Sequence, residues 1–309
     1  MREGMVEGVH HGSALVLGPD RSTLFQAGDA EVAFYPRSAA KPLQATAMLR
    51  LGTPLDTAAT ALSAASHSGE RFHLEKVRAV LGEFGFTEDD LRTPEDLPFD
   101  VAEREAWIAA GRAPSRIAHN CSGKHAAMLA TCRVNGWSTA DYLDPGHPLQ
   151  RAIADTVADL TGQPIAKVAV DGCGAPLFAL SLRGLATAIG KIAAGGPETA
   201  EGLVAQAIRQ HPELVAGTRR DVTALMKAVP GLIAKDGFEA VQVAALPDGT
   251  AVAIKIADGA DRARKPVLAA ALALCGVDRA ALAHFSGDAN LRVTGTLADH
   301  SPSNTESRI

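Results

Sequence analysis

The 309-residue chain is poor in aromatic side chains, which make up 4% of it, and holds no run in which aromatics alternate with basic residues. Lys and Arg number 30 against 35 Asp and Glu, for a net charge of -5. Without a basic excess or a basic patch, nucleic acid is excluded as an expected partner. Four cysteines are too few for a disulfide framework in a chain of this size. No apolar stretch is long enough to cross a bilayer. The first residues, Met1-Arg2-Glu3-Gly4, lack the apolar core of a signal peptide, so the expected location is the cytoplasm. There is no internal repeat and no low-complexity linker.

What is present is a hydrophobic fraction of 47%, with alanine the main contributor, enough for a large core in one or two domains. Val9–Leu17 and Ser22–Gln26 read as strands around the turn Gly18-Pro19-Asp20. Phe238–Leu246 and Thr250–Ile256 read as a second hairpin around Pro247-Asp248-Gly249. Lys265–Leu274 reads as a helix, 291–297 as a final strand, and residues 301–309 as a disordered tail. Between the two hairpins helical patterns dominate: 51–65, 72–84, 119–134, 147–160, 177–194, 201–210 and 221–228. Thr87-Glu88-Asp89-Asp90 carries a capping box, and 93–114 reads as surface loop. Strands thus gather near both chain ends. The expected fold is α/β of the α+β kind: an antiparallel sheet from about 1–60 and 230–300, with a helical lobe of about 61–229 inserted, forming one unit of about 300 residues.

Four clusters carry candidate chemistry. In Ser38-Ala39-Ala40-Lys41-Pro42 a serine precedes a lysine by three positions, which share a face on a helix. A serine hydroxyl needs a base to become a nucleophile, and a buried lysine can serve. Ser66-His67-Ser68-Gly69-Glu70 packs polar groups at the end of an apolar helix, where serine and glycine are also ordinary junction residues. His119-Asn120-Cys121-Ser122-Gly123-Lys124-His125 opens a helix, where a thiol becomes more acidic. Its Ser-Gly-Lys lacks the remaining residues of a phosphate-binding loop, which rules out that function. Asp171-Gly172-Cys173-Gly174-Ala175-Pro176 follows a strand and places a carboxylate two residues from a second thiol. Cys121 and Cys173 could share a soft metal such as zinc, although their spacing matches no standard metal motif. Cys132 and Cys275 sit in apolar helical contexts and read as core. Lys235-Asp236-Gly237, at the expected start of the strand from Phe238, could send a lysine into a site or only make a turn.

Taken in order, these clusters together with His211-Pro212-Glu213-Leu214-Val215-Ala216-Gly217-Thr218 and Lys255-Ile256-Ala257-Asp258-Gly259 resemble the asparaginase II family, the rhizobial-type, class 3 L-asparaginases. The resemblance runs from about Gly8 to about Arg264. That family is similar in fold to serine β-lactamases and β-lactamase-like glutaminases. The resemblance implies hydrolysis of L-asparagine to L-aspartate and ammonia through an acyl-enzyme. It implies Ser38 as nucleophile, Lys41 as its base, and a second pair of Ser66 and Lys235 that relays protons, with Ser68 the alternative serine. It implies one zinc ion on Cys121, Lys124 and Cys173, with water completing the tetrahedron, and Asp171 as the nearby carboxylate that orients substrate or metal-bound water. Arg37, Asn120 and His125 would hold the substrate's carboxylate and amide, and a homodimer is implied as the assembly. The chain departs from some relatives in carrying Asp221 and Val222 where a further cysteine is expected. Other classes stay open on the residues alone: a penicillin-interacting serine hydrolase, a cysteine hydrolase using Cys121, and a non-catalytic zinc- or thiol-binding protein.

Overall fold

A computed structural model describes residues 2, 3 and 5–283, together with Phe285 and Val293. Among these residues seven strands are formed: β1 (Gly12–Leu17), β2 (Thr23–Ala27), β3 (Lys167–Val170), β4 (Pro176–Ala179), β5 (Ile233–Gly237), β6 (Val241–Ala245) and β7 (Ala251–Ile256). Twelve helices accompany them among the described residues. The first six are α1 (Lys41–Arg50), α2 (Thr57–Ser63), α3 (Arg71–Glu83), α4 (Val101–Ala109), α5 (Ser122–Val134) and α6 (Pro148–Thr161). The others are α7 (Leu182–Ala193), α8 (Ala200–Gln210), α9 (Pro212–Val215), α10 (Asp221–Ala228), α11 (Asp261–Leu274) and α12 (Arg279–Leu282).

The main sheet runs β2-β1-β7-β6-β5, with every neighbouring pair antiparallel. Its strands come from both ends of the chain, as the two hairpin signals imply. β6 is buried at all five positions and β7 at five of six, so both faces of the sheet are covered; α7 and α11 both pack against β7. Alternation of polar and apolar residues is therefore absent from these strands. Away from the sheet, α1 packs on α6 and α2 on α8.

Local chemistry accounts for the helix ends. The Asp56 carboxylate accepts from the Ala59 amide at 2.7 Å and starts α2. His147 caps α6 with Pro148 in its first turn, and Gly162, at φ 68°, ends it in the left-handed conformation. Buried Leu74, Val77, Val80 and Leu81 give α3 the apolar face expected from its spacing.

Three local expectations are corrected. Segment 93–114 is not all loop: Asp100 accepts from the Ala102 and Glu103 amides and starts α4. None of the residues of α4 is buried, so no apolar periodicity announces it. The helix expected from Leu177 begins only at Leu182, because Pro176–Ala179 pairs with β3 as a hairpin and Ser181 then caps α7. The strand expected from Phe238 begins only at Val241, because residues 238–240 form the turn from β5, a strand the sequence reading missed, and in that turn Glu239 and Ala240 take positive φ, 61° and 50°. A hairpin built on two left-handed non-glycine residues has no glycine signal to betray it. The strand expected at 291–297 and the tail at 301–309 lie outside the described residues, apart from Val293.

Candidate active site

Ser38 sits on a short 3₁₀ turn, Arg37–Ala40, that leads straight into α1. The residue before it, Arg37, has φ 51°, a conformation a non-glycine residue adopts at an energetic cost. That turn is pressed against the end of β5: a Cβ added to Gly237 would lie 2.5 Å from the Pro36 carbonyl oxygen. Ser38 lines a cavity of about 480 Å³ with Ser66, Asn120, Phe99, Arg220, Asp236 and residues of the β5–β6 turn.

Lys41 lies behind this cavity and is 1% exposed. Its amine nitrogen has three hydrogen-bond partners: the Ala65 carbonyl oxygen at 2.5 Å, Ser66 Oγ at 2.9 Å and Cys121 Sγ at 3.0 Å. Ser38 is not among them. The spacing of three residues therefore does not join Ser38 to Lys41 by a hydrogen bond; the Lys41 amine turns to Ala65, Ser66 and Cys121. Lys41 holds Ser66 instead.

The Ser66 segment is fixed by its backbone. The Ser66 amide donates to the Val215 carbonyl at 2.9 Å, that of His67 to Asn120 at 3.0 Å and that of Ser68 to Ala216 at 2.7 Å. Ser68 is fully buried, its hydroxyl has no partner among the described residues, and it is not part of the cavity wall. Ser66 is the serine of this cluster that reaches the cavity. The expected Ser66–Lys235 pair is not hydrogen-bonded: Lys235 Nζ donates to the Asp236 carbonyl oxygen at 2.7 Å and to Asp236 Oδ1 at 2.6 Å. Burial lowers the Lys235 pKa; the Asp236 charge opposes this, Lys41 adds to it, and the result is about 8. Asp236 is held far below the ordinary carboxylate range: its burial acts upward, but Lys235 and Arg220 outweigh it.

Cys121, Lys124 and Cys173 converge as one buried group at the start of α5 and in the β3–β4 loop. Lys124 Nζ lies 3.3 Å from Cys173 Sγ, and Cys121 Sγ lies 3.0 Å from Asn120 Oδ1. The hydrogen bond between the two thiols pulls Cys173 well below the usual thiol range and pushes Cys121 well above it. His125 lowers the Cys173 pKa further, and its Nδ1 meets the Tyr142 hydroxyl at 2.8 Å. For Lys124, burial lowers the pKa, but Cys173, Cys121 and Asp171 outweigh it and leave the amine strongly basic. Two soft sulfur donors and an amine nitrogen make a donor set that suits zinc, and the ion would replace the protons this cluster now shares. Among the described residues no group of three or more His, Cys, Asp and Glu could hold a metal, so a zinc ion here requires Lys124.

Asp171 Oδ1 accepts from Arg37 Nε at 2.7 Å, which ties the β3–β4 loop to the Ser38 turn. Gly174, at φ 86°, completes that loop and brings Cys173 back toward α5. Of the expected residues, Ser38, Ser66 and Asn120 reach the cavity; Lys41 stands behind Ser66; and Cys121, Lys124, Cys173 and His125 form the adjoining buried cluster. Two further residues escaped sequence reasoning. Asp236 anchors Lys235, and Arg220 meets Asp236 at 2.5 Å while its guanidinium carbon stands 4.7 Å from the centre of the Phe99 ring. The Lys235-Asp236 adjacency was a usable signal for the first, but nothing in the spacing marks Arg220.

The model of the L-asparaginase II family matches residues 1–298. The chain belongs to the L-asparaginase II family. That membership makes it an amidohydrolase. No curated protein matches the sequence. Among solved structures, a β-lactamase from Mycobacterium bovis matches at 15% identity with a TM-score of 0.46, covering 89% of this chain and 95% of that one. The native form of the protein Mglu matches at 16% identity with a TM-score of 0.44, covering 87% of this chain and 63% of that one. EstCE1, a hydrolase with promiscuous acyltransferase activity, matches at 12% identity with a TM-score of 0.42, covering 79% of this chain and 88% of that one. Among the described residues no helix is long and apolar enough to cross a membrane.

Proposed function

We propose that this amidohydrolase cleaves L-asparagine to L-aspartate and ammonia with Ser38 as nucleophile. One observation carries the reading: Ser38 stands on a strained turn in the wall of the cavity, with its hydroxyl free of Lys41, which already has three partners. Catalytic hydrogen bonds commonly tighten only when substrate is bound. Ser38 Oγ attacks the side-chain amide carbon and forms an aspartyl ester. Its proton passes to Lys41, which accepts it as the free amine, with the Ser66 hydroxyl, already 2.9 Å from Lys41 Nζ, as the relay. The leaving nitrogen takes a proton from the same chain, with Lys235 as the reserve amine. Water then hydrolyses the ester with the relay reversed. Splitting a stable amide into acylation and deacylation makes each step easier.

Cys121, Lys124 and Cys173 are the residues that would hold zinc, and a bound zinc ion supplies Lewis acidity that orients a substrate oxygen. Asp171 holds Arg37 at the edge of this group, and His125 and Asn120 steady its thiols. The substrate is a free small-molecule amide, and we place the protein in the cytoplasm as a homodimer. A second reading rests on the Lys41–Ser66 contact itself: Ser66, not Ser38, has a lysine amine at hydrogen-bond distance, and it too lines the cavity. Ammonia release from L-asparagine and L-glutamine, measured for wild type, Ser38→Ala and Ser66→Ala, tests the function. No release from asparagine by the wild type sinks it, and nucleophile loss in S66A alone selects the second reading.

A further inference from the structure

Four cations line the Ser38 cavity: Arg219, Arg220, Arg264 and Lys265. Arg264 spends its guanidinium on Asp261, Gln242 and Asp221. Arg219 is bound at 2.7 Å to both Asp100 and Glu103. Lys265 stands 3.7 Å from Asp221 with a side chain 40% exposed. Arg220 differs from all three. Its Nη2 donates to Asp236 Oδ2 at 2.5 Å, while its Nη1 is buried and has no acceptor among the described residues. The guanidinium is held edge-on by Asp236 and face-on by Phe99, so its orientation is set before any ligand arrives. Arg37, the other arginine near Ser38, is tied to Asp171 and lines a separate hollow with Tyr35, Val170 and Lys255. Arg220 lines the cavity and carries an N–H donor without an acceptor among the described residues; such a donor calls for an anionic oxygen, and guanidinium matches carboxylate best.

We propose that Arg220 is the specificity residue that receives the α-carboxylate of the substrate, which restricts the enzyme to amides of free α-amino acids. The inference rests on the asparagine reading above and deepens it. Peptide-bound asparagine and amides lacking the carboxylate leave Nη1 unpaired and are rejected.

The experiment compares L-asparagine with β-alaninamide, which is asparagine without its α-carboxylate, in wild type, Arg220→Gln and Arg220→Lys, following ammonia and separating kcat from KM. For R220Q the expected loss in kcat/KM on L-asparagine is at least about 100-fold, carried by KM, against less than about threefold on β-alaninamide. R220K restores part of the loss. Equal losses on both amides, or a loss carried by kcat alone, overturn the inference and leave Arg220 a support for Asp236. A binding arm separates this from a failure of the asparaginase reading. L-Aspartate and β-alanine differ by the same carboxylate and are titrated calorimetrically into each protein. A wild-type preference for L-aspartate of at least about 30-fold that disappears in R220Q supports the role of Arg220 even if asparagine is not turned over. Equal binding of the two by wild type overturns it even if asparagine is hydrolysed.

Discussion

Lys41 Nζ lies 2.9 Å from Ser66 Oγ and holds it against the wall of the cavity that Ser38 also lines. One amine thus stands behind two serines, and the two are separated by which of them becomes acylated. We expect S38A to lose about 10⁴-fold or more in kcat, as removal of a nucleophile does. S66A, which removes a proton relay, should lose about 10²–10³-fold. Rapid quenching with L-asparagine and then peptide mass analysis should find the aspartyl adduct on the peptide containing Ser38 in wild type and in S66A. An adduct on the Ser66 peptide assigns the nucleophile the other way.

The Lys235–Asp236 pair predicts a basic limb in the pH profile. Burial is the main cause bringing Lys235 to about 8, so it is protonated below that pH and neutral above it. As the reserve donor for the leaving nitrogen it must carry its proton. Turnover should therefore fall above pH about 8, by roughly tenfold per unit at full development. In Lys235→Arg, whose guanidinium keeps its proton throughout, kcat should be lower but the limb should move out of the accessible range. A wild-type profile flat to pH about 10, or a limb unchanged in K235R, removes Lys235 from the proton path.

Metal content tests the thiol–amine cluster without reference to activity. Elemental analysis of the purified protein should give about one zinc per chain, and Cys173→Ala or Lys124→Met should lose it, since removing one of three protein ligands is expected to cost most of the affinity. S38A should retain it, because Ser38 lies in the cavity wall and not in the cluster. If zinc positions substrate, L-aspartate binding should weaken with metal loss; unchanged binding with abolished turnover would defeat the positioning role.

The fold was legible where residue chemistry is local. Gly18-Pro19-Asp20 and Pro247-Asp248-Gly249 marked their hairpins, and the buried stripe of α3 marked its helix. It was not legible where tertiary burial overrides pattern. β5 is closed by two left-handed non-glycine residues, and Leu177–Ala179 is an apolar run whose strand partner lies across a glycine loop. The site divides in the same way. Motifs brought forward Ser38, Lys41, Ser66, Cys121, Lys124, Cys173 and Lys235, because those residue types have few other reasons to cluster. Which partner each takes depends on three dimensions: Lys41 reaches Ser66 from 25 positions away and Cys121 from 80. Arg220 was invisible for the same reason, since an arginine is informative only once its acceptors are counted.

The last prediction concerns the glycine that β5 sets against the Ser38 turn. A Cβ at Gly237 would lie 2.5 Å from the Pro36 carbonyl oxygen and 3.0 Å from the Ala39 amide nitrogen, both backbone atoms of the turn that carries Ser38. The Pro36 carbonyl already accepts from the Ala39 amide at 3.1 Å, so neither can yield without opening the turn. Gly237→Ala should therefore destabilise by about 1–3 kcal/mol. Displacing Ser38 by even about 1 Å should cost on the order of 100-fold in kcat/KM. Gly82 is the control: it lies in α3 with nothing within 4 Å of an added Cβ. Gly82→Ala should raise stability by about 0.5–1 kcal/mol and leave kinetics unchanged. Thermal melts and ammonia-release kinetics on the two variants decide the point. A stable G237A with wild-type kcat/KM would mean that the sheet edge does not set the position of the nucleophile.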